Sequence, residues 1–202
     1  ILGRDLEWPA VVAVEAHHLD LPGVSLRIRP RRSYADGPTT AHILGYMGEI
    51  NQRQLKNYKD QGYLLGDEIG QSGLERYWEE VLRGQHGGQQ VEVDALGRRV
   101  RVLHQVSDVP GYTVHLTLDR QMQQTAFEAL KDKEGTIVAI DVNSGAILAL
   151  ASTPAFDPNV FARGIKGNEW NALVNDRLRP LSNRATQGQF PPGSTFKVVM
   201  FI

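Results

Sequence analysis

The sequence predicts an α+β fold on three observations: short alternating or wholly apolar runs that suit strands, separate runs of helical periodicity, and glycine- or proline-rich turns between them. With 202 residues, 41% of them hydrophobic and 22% charged, the composition is globular and leaves room for one large or two small domains. Lys and Arg number 22 against 23 Asp and Glu, a formal net charge of −1. No global field therefore argues for nucleic acid or an anionic membrane, and partners must be recognised locally. Cysteine is absent, which excludes disulfides and thiolate metal sites.

In chain order, residues 11–16 read as a short strand and 24–29 as an alternating one, with a turn at Leu21, Pro22 and Gly23. Arg27, Arg29, Arg31 and Arg32 cluster, but no aromatic residues interleave with them to stack on bases, so a solvated face or structural ion pairs are expected. Residues 39–48 suit a short helix stopped by glycine, and 51–58 a second helix capped by Asn51. The glycine-rich run 66–73 matches neither the dinucleotide fingerprint nor a phosphate loop; it turns the chain into a helix over 74–82. There Leu74, Tyr77, Trp78, Val81 and Leu82 recur at helical spacing, which predicts a core stripe. Residues 89–95 and 99–104 predict a hairpin, and 107–111 a linker and domain boundary.

Residues 113–118 alternate as a half-buried strand should, and Asp119 suits the cap of a helix carrying Met122, Ala126, Phe127 and Leu130. Residues 135–141 and 146–152 are apolar on both faces around a turn, which predicts a central hairpin covered by helices on both sides. Residues 153–184 hold Phe156, Phe161 and Trp170 with little periodicity; such a segment lines a site or connects packed elements. The six histidines are scattered, without metal-ligand spacing and without a triad-like Asp partner. No run approaches the ~20 apolar residues of a membrane span. The start lacks an initiator Met or signal pattern, and the apolar run 198–202 lacks a stop signal, so further polypeptide is expected on both sides.

The chemistry concentrates in residues 189–197. Pro191 and Pro192 hold helix-compatible φ without N–H groups, Gly193 allows a sharp turn, and residues 195–202 continue as an apolar helix, which puts Ser194 in a first turn. Residues three apart share a helical face, so Lys197 can bring its amine to the Ser194 hydroxyl. Buried in a cleft beside the positive end of a helix, Lys197 would favour its neutral form and could take the serine proton. The implied chemistry is acyl transfer through a serine ester. Ser-x-x-Lys alone is a weak motif, met equally by a capping serine with an exposed lysine one turn on. The Pro-Pro-Gly setting and the apolar run behind it favour the catalytic reading.

The chain resembles the class B penicillin-binding proteins, and among them the penicillin-binding protein 2 group of cell elongation. The likeness runs in order through residues 32–34, 41–46, 70–75, 82–84, 93–98, 116–119, 144–149, 183–185 and 191–197, and its hallmark is the run Ser194, Thr195, Phe196 and Lys197. The resemblance implies an elongated pedestal or head of short strands and helices over residues 1–111, then the N-terminal part of a penicillin-binding/β-lactamase-like transpeptidase domain over 112–202. It implies that Ser194 is the acylated, penicillin-binding nucleophile and Lys197 its general base in a peptidoglycan D,D-transpeptidase, with no cofactor or metal. Implied partners are peptidoglycan stem peptides and their lipid-linked precursor, β-lactams, a SEDS-type membrane glycosyltransferase and elongation-complex scaffold proteins, but no nucleic acid. The implied location is the inner membrane, single-pass, with the bulk on the periplasmic side.

The family's Ser-x-Asn and Lys-Thr-Gly motifs do not occur here, so the resemblance puts them beyond Ile202. The second oxyanion donor, worth about 10²–10³ in rate, would lie there too, and this chain by itself is expected to be catalytically silent. Two other readings stand beside this one. A class D β-lactamase or β-lactam sensor also commonly carries Ser-Thr-Phe-Lys and would be told apart by hydrolytic turnover of its acyl-enzyme. An interaction scaffold would bind partners through residues 1–111, with the acylation site secondary.

Overall fold

The computed structural model describes residues 2, 3, 6–17, 20, 21, 23–26, 31–95 and 99–200. Helix α1 (Trp8–Ala16) is followed by α2 (Ala41–Leu44), strand β1 (Met47–Glu49), α3 (Gln52–Asn57), β2 (Glu68–Gly70), α4 (Gly73–Tyr77) and α5 (Glu79–Leu82). Then come β3 (Gly88–Val93), β4 (Arg99–Val106), α6 (Arg120–Ala129), β5 (Gly135–Ile140), β6 (Ile147–Thr153), α7 (Asn159–Ala162), α8 (Gly167–Asn175) and α9 (Arg184–Gln187). A 3-10 turn over Gly193–Phe196 leads into α10 (Lys197–Met200). The strands form antiparallel pairs β1-β2, β3-β4 and β5-β6, so the α+β expectation holds. No helix among the described residues is long and apolar enough to cross a membrane. The chain divides into two compact units, Ile1–Ser33 with Trp78–Val114, and Tyr34–Tyr77 with His115–Ile202.

In the first unit, residues 11–16 are helical within α1 rather than a strand. Pro9 in the first turn presets φ, and Ala10 and Val11 both donate to the Glu7 carbonyl, which nucleates a helix that the β-branched run then continues. Of the strand expected over 24–29, residues 24–26 are irregular and 27–29 lie outside the described residues. The hairpin expected over 89–104 forms as β3 and β4, with Val91 opposite Val102 and Glu92 opposite Arg101; the last pair is also an ion pair. Residues 107–111 are tied back rather than free: Gln85 and Val109 exchange backbone hydrogen bonds of 2.8 and 2.9 Å, and Tyr112 N donates to Val81 O at 2.9 Å.

The single helix expected over 74–82 is two, α4 and α5, broken at Trp78 with φ −103° and ψ 22°. Its aromatic stripe is not core, since Tyr77 and Trp78 are 79% and 40% exposed. The buried positions are instead Glu75 and Glu79, and Glu75 Oε1 accepts from the Tyr34 hydroxyl at 3.2 Å. A hydrogen-bonded carboxylate can take an interior place that apolar periodicity alone would deny it.

In the second unit, β1 and β2 close over Ile50, Tyr63 and Ile69. Residues 66–73, expected as a turn, therefore include strand β2. Asn51 caps α3 in a reciprocal capping box with Gln54, as its position predicts. The end of α2 and the start of α4 meet backbone to backbone: a Cβ on Gly45, at φ 79°, would lie 1.9 Å from Ser72 O, and one on Gly73, at φ 59°, would lie 2.5 Å from Gly45 N. Residues 153–184 contribute more than a surface path, because Phe156 and Phe161 are buried with Ala41 and the segment holds α7 and α8.

Asp119 caps α6, accepting from Met122 N at 2.8 Å. Ala126 and Leu130 of that helix pack on Ala149 and Ala151 of β6, with Phe127, Ile137 and Ala139 around them. Helices do not cover both faces of the β5-β6 hairpin: Val138 and Ile140 are 45% and 55% exposed. Nor do residues 113–118 form a strand. Among the described hydrogen bonds, Thr117 Oγ1 of this run donates to Ile147 O of β6 at 2.7 Å, and Asp119 N, just past it, donates to Leu148 O at 2.9 Å.

The next position on that edge belongs to a side chain. Gln123, 1% exposed, accepts from Leu150 N at 2.7 Å and donates to Leu150 O at 3.1 Å and to Thr39 O at 2.6 Å. Its amide does what a neighbouring strand would do, and it closes the sheet edge. Replacing it with leucine strands three half-buried backbone groups, each costing up to about 1–3 kcal/mol. Gln123→Leu should therefore lose at least about 2 kcal/mol in denaturant unfolding followed by circular dichroism, whereas a surface change such as Gln124→Leu should stay within about 0.5 kcal/mol.

Candidate active site

The segment that reaches Ser194 leaves the second unit's core at the start of α9. Asn183 is the N-cap: its Oδ1 accepts from Ala185 N at 3.0 Å, while its Nδ2 donates to the His42 carbonyl of α2 at 3.2 Å. The next residue, Arg184, donates its backbone N–H to Ser152 Oγ of β6 at 3.0 Å. Its guanidinium, on a side chain only 12% exposed, donates to Leu178 O and lies 3.5 Å from Arg179 O and from Glu134 Oε2.

Beyond α9 the hydrogen bonds become local. Gly188 N donates to Arg184 O at 3.2 Å. Thr195 donates to Pro192 O from its backbone N–H at 3.3 Å and from its hydroxyl. Gly193 stands at φ 55°, a conformation glycine enters without a Cβ penalty.

Ser194 lies within the 3-10 turn Gly193–Phe196, and the backbone N–H of Lys197 donates to the Ser194 carbonyl. Lys197 is in turn the first residue of α10. The expected pair therefore sits three residues apart on one helical turn, where such side chains project from the same side. Both residues are exposed, as is every residue from 186 to 200, so the cleft that would favour a neutral Lys197 is not formed by this chain. Val198, Val199 and Met200 of the apolar run are 72%, 61% and 71% exposed.

His42, whose carbonyl accepts from Asn183, is a titratable group at the base of this segment. Its Nε2 donates to Pro154 O at 3.3 Å, and its ring meets Phe156 edge-on at 5.5 Å. Burial pushes its pKa below the usual 6.5, opposed by the Pro154 carbonyl and aided by the positive charge of Arg184. Among the described residues, no three His, Cys, Asp or Glu side chains are grouped to hold a metal.

Sequence reasoning named Ser194 and Lys197 but gave no role to Asn183, Arg184, Ser152 or His42. The signals available were an asparagine placed where a helix N-cap belongs and the family likeness of residues 41–46 and 183–185; the partner of Asn183, His42, is 141 residues away.

Two family models match in sequence order. Residues 1–116 match the penicillin-binding protein dimerisation domain, and residues 135–202 the penicillin-binding protein transpeptidase domain. The first alone covers more than half of the chain. The chain belongs to the penicillin-binding proteins. Its relatives include the peptidoglycan D,D-transpeptidase MrdA of Escherichia coli K12, 41% identical over 180 residues that make up 87% of this chain and 28% of that protein. Solved structures agree. Penicillin-binding protein 2 from Helicobacter pylori, in its complex with MreC, superposes with a TM-score of 0.77 at 27% identity, over 96% of this chain and 36% of that one. Penicillin-binding protein 2 of Pseudomonas aeruginosa, in complex with WCK 5153, gives 0.66 at 34% identity, over 83% and 33%. This penicillin-binding protein chain thus spans roughly a third or less of the proteins it matches, and the matches do not favour the β-lactamase reading.

The burial of His42 has a thermodynamic consequence. As pH falls through about 6.5, the unfolded chain takes up a proton there while the folded chain resists, so stability falls with pH in that window. Between about pH 7.5 and 5.5, the unfolding midpoint of the wild type should fall more steeply than that of His42→Gln, which keeps a donor for Pro154 O. Parallel slopes in thermal scans would contradict this.

Proposed function

We propose that this chain is part of a peptidoglycan D,D-transpeptidase in which Ser194 is the nucleophile and Lys197 its general base. The observation that carries the reading is their placement on one helical turn, joined by the Lys197 N–H to Ser194 carbonyl bond, within the segment that matches the transpeptidase domain. In the acylation step Ser194 Oγ attacks the carbonyl carbon of the penultimate D-alanine of a stem peptide, and Lys197 in its neutral form takes the hydroxyl proton. The terminal D-alanine leaves as a free amine, carrying the proton that Lys197 returns. The amine of a neighbouring stem then attacks the ester, forming the cross-link and restoring the serine hydroxyl. A β-lactam enters the first step with its ring amide in place of the D-alanyl bond, and the acyl group stays on Ser194.

Residues 112–202 belong to the catalytic domain in this reading, and residues 1–111 to a pedestal or head that meets partners. The Helicobacter pylori relative was solved with MreC, which supports an elongation-complex scaffold protein as one partner. A SEDS-type glycosyltransferase is the second partner we propose. The lipid-linked precursor and the stem peptides put the working side outside the cytoplasm, on an inner-membrane protein with a single span.

Fluorescent penicillin tests the assignment on the full-length protein. Wild type should form a covalent adduct that survives denaturation, Ser194→Ala should form none, and Lys197→Ala should acylate about 10²–10⁴ times more slowly. Undiminished labelling of Ser194→Ala would overturn the nucleophile, and wild-type kinetics in Lys197→Ala the base.

A further inference from the structure

Among the described residues, the last hydrogen bonds that the chain makes to other elements before Ser194 are those at Asn183 and Arg184. Asn183 Nδ2 reaches the His42 carbonyl at the heart of α2, and Arg184 N reaches Ser152 Oγ on β6. Both acceptors are held from elsewhere. Ser152 is 2% exposed and lies two residues past Leu150, whose backbone is clamped by Gln123. The His42 ring is fixed by Pro154 O. Between Arg184 and Ser194 the described hydrogen bonds are local, running from Gly188 to Arg184 and from Thr195 to Pro192. The hydrogen bonds that tie the exposed turn back to the core are therefore those at residues 183 and 184.

From this geometry we infer that Asn183 and Arg184 are positioning residues for the Ser194–Lys197 turn: the side-chain tie to His42 and the backbone tie to Ser152 fix where the nucleophile stands. The inference rests on the reading of Ser194 as nucleophile. Asn183 has two separable jobs, since Oδ1 caps α9 and Nδ2 makes the tie. A residue needed only as a cap would be replaced without loss by aspartate, which is as good a helix cap. A positioning residue would not, because aspartate offers the His42 carbonyl no donor. A displacement of about 1 Å in a reacting group can cost about 10²-fold in rate.

The test uses the full-length protein and acylation by fluorescent penicillin over a range of concentrations. Asn183→Asp removes the tie to α2, and Ser152→Ala independently removes the tie to β6 while leaving the cap intact. Each should lower the saturating acylation rate about 10–100-fold, with the half-saturating penicillin concentration within about twofold and Tm within about 2 °C of wild type. Wild-type saturating rates in both variants would overturn the proposal. So would rate losses that simply track a fall in Tm, which would make these residues folding residues. Ser194→Ala in the same series separates the two claims: if it still labels, the nucleophile assignment has failed; if it does not label while both tie variants acylate normally, only the positioning role has.

Discussion

The second unit depends on one buried amide. Gln123 satisfies both backbone groups of Leu150 and the carbonyl of Thr39, so a helix, a strand edge and the turn ahead of α2 are joined through a single side chain. An unpaired strand edge otherwise invites another chain to pair with it. Here the edge is closed by Thr117, Asp119 and Gln123 in succession, and small residues, Ala149 and Ala151, let α6 lie close against the sheet. Two residues past Leu150, Ser152 offers its hydroxyl to Arg184. The buried amide thus sits at the origin of the path that leads, through α9, to Ser194.

The features that could be foreseen from sequence were local, and most of those that could not were long-range. Asn51 and Asp119 are caps whose chemistry is complete within four residues; the β3-β4 hairpin arises from alternating runs and the β5-β6 hairpin from apolar runs, each around a turn. Residues 11–16 misled because their β-branched content outweighed Pro9, which favours a helix start even ahead of a β-branched run. The aromatic pair Tyr77 and Trp78 misled in the opposite sense. Their spacing suited a core stripe, yet Glu75 and Glu79 occupy the interior, and a hydrogen bond such as that from Tyr34 to Glu75 leaves no trace in hydropathy. Residues 113–118 have strand alternation, but Thr117 meets β6 through its side chain, and farther along that edge the Leu150 backbone is taken by Gln123.

The same division holds at the site. Ser194 and Lys197 were legible because three-residue spacing and a proline-glycine start determine one turn. Their surroundings were not: Asn183 bonds to a carbonyl 141 residues away, and Arg184 to a hydroxyl 32 residues away. The result is a segment with a fixed root and an exposed tip. Its root is built from well-paired polar groups, and its tip presents a hydroxyl and an amine on one turn with only local hydrogen bonds.

Mass mapping of the acylated full-length protein tests the central claim most directly. Cleavage after Arg184 and Lys197 releases residues 185–197, whose hydroxyls belong to Thr186, Ser194 and Thr195. After treatment with penicillin, the mass of the intact drug should appear on this peptide, and fragment ions should assign it to Ser194. A penicilloyl group on Thr195, or on any peptide elsewhere in the protein, would contradict the account.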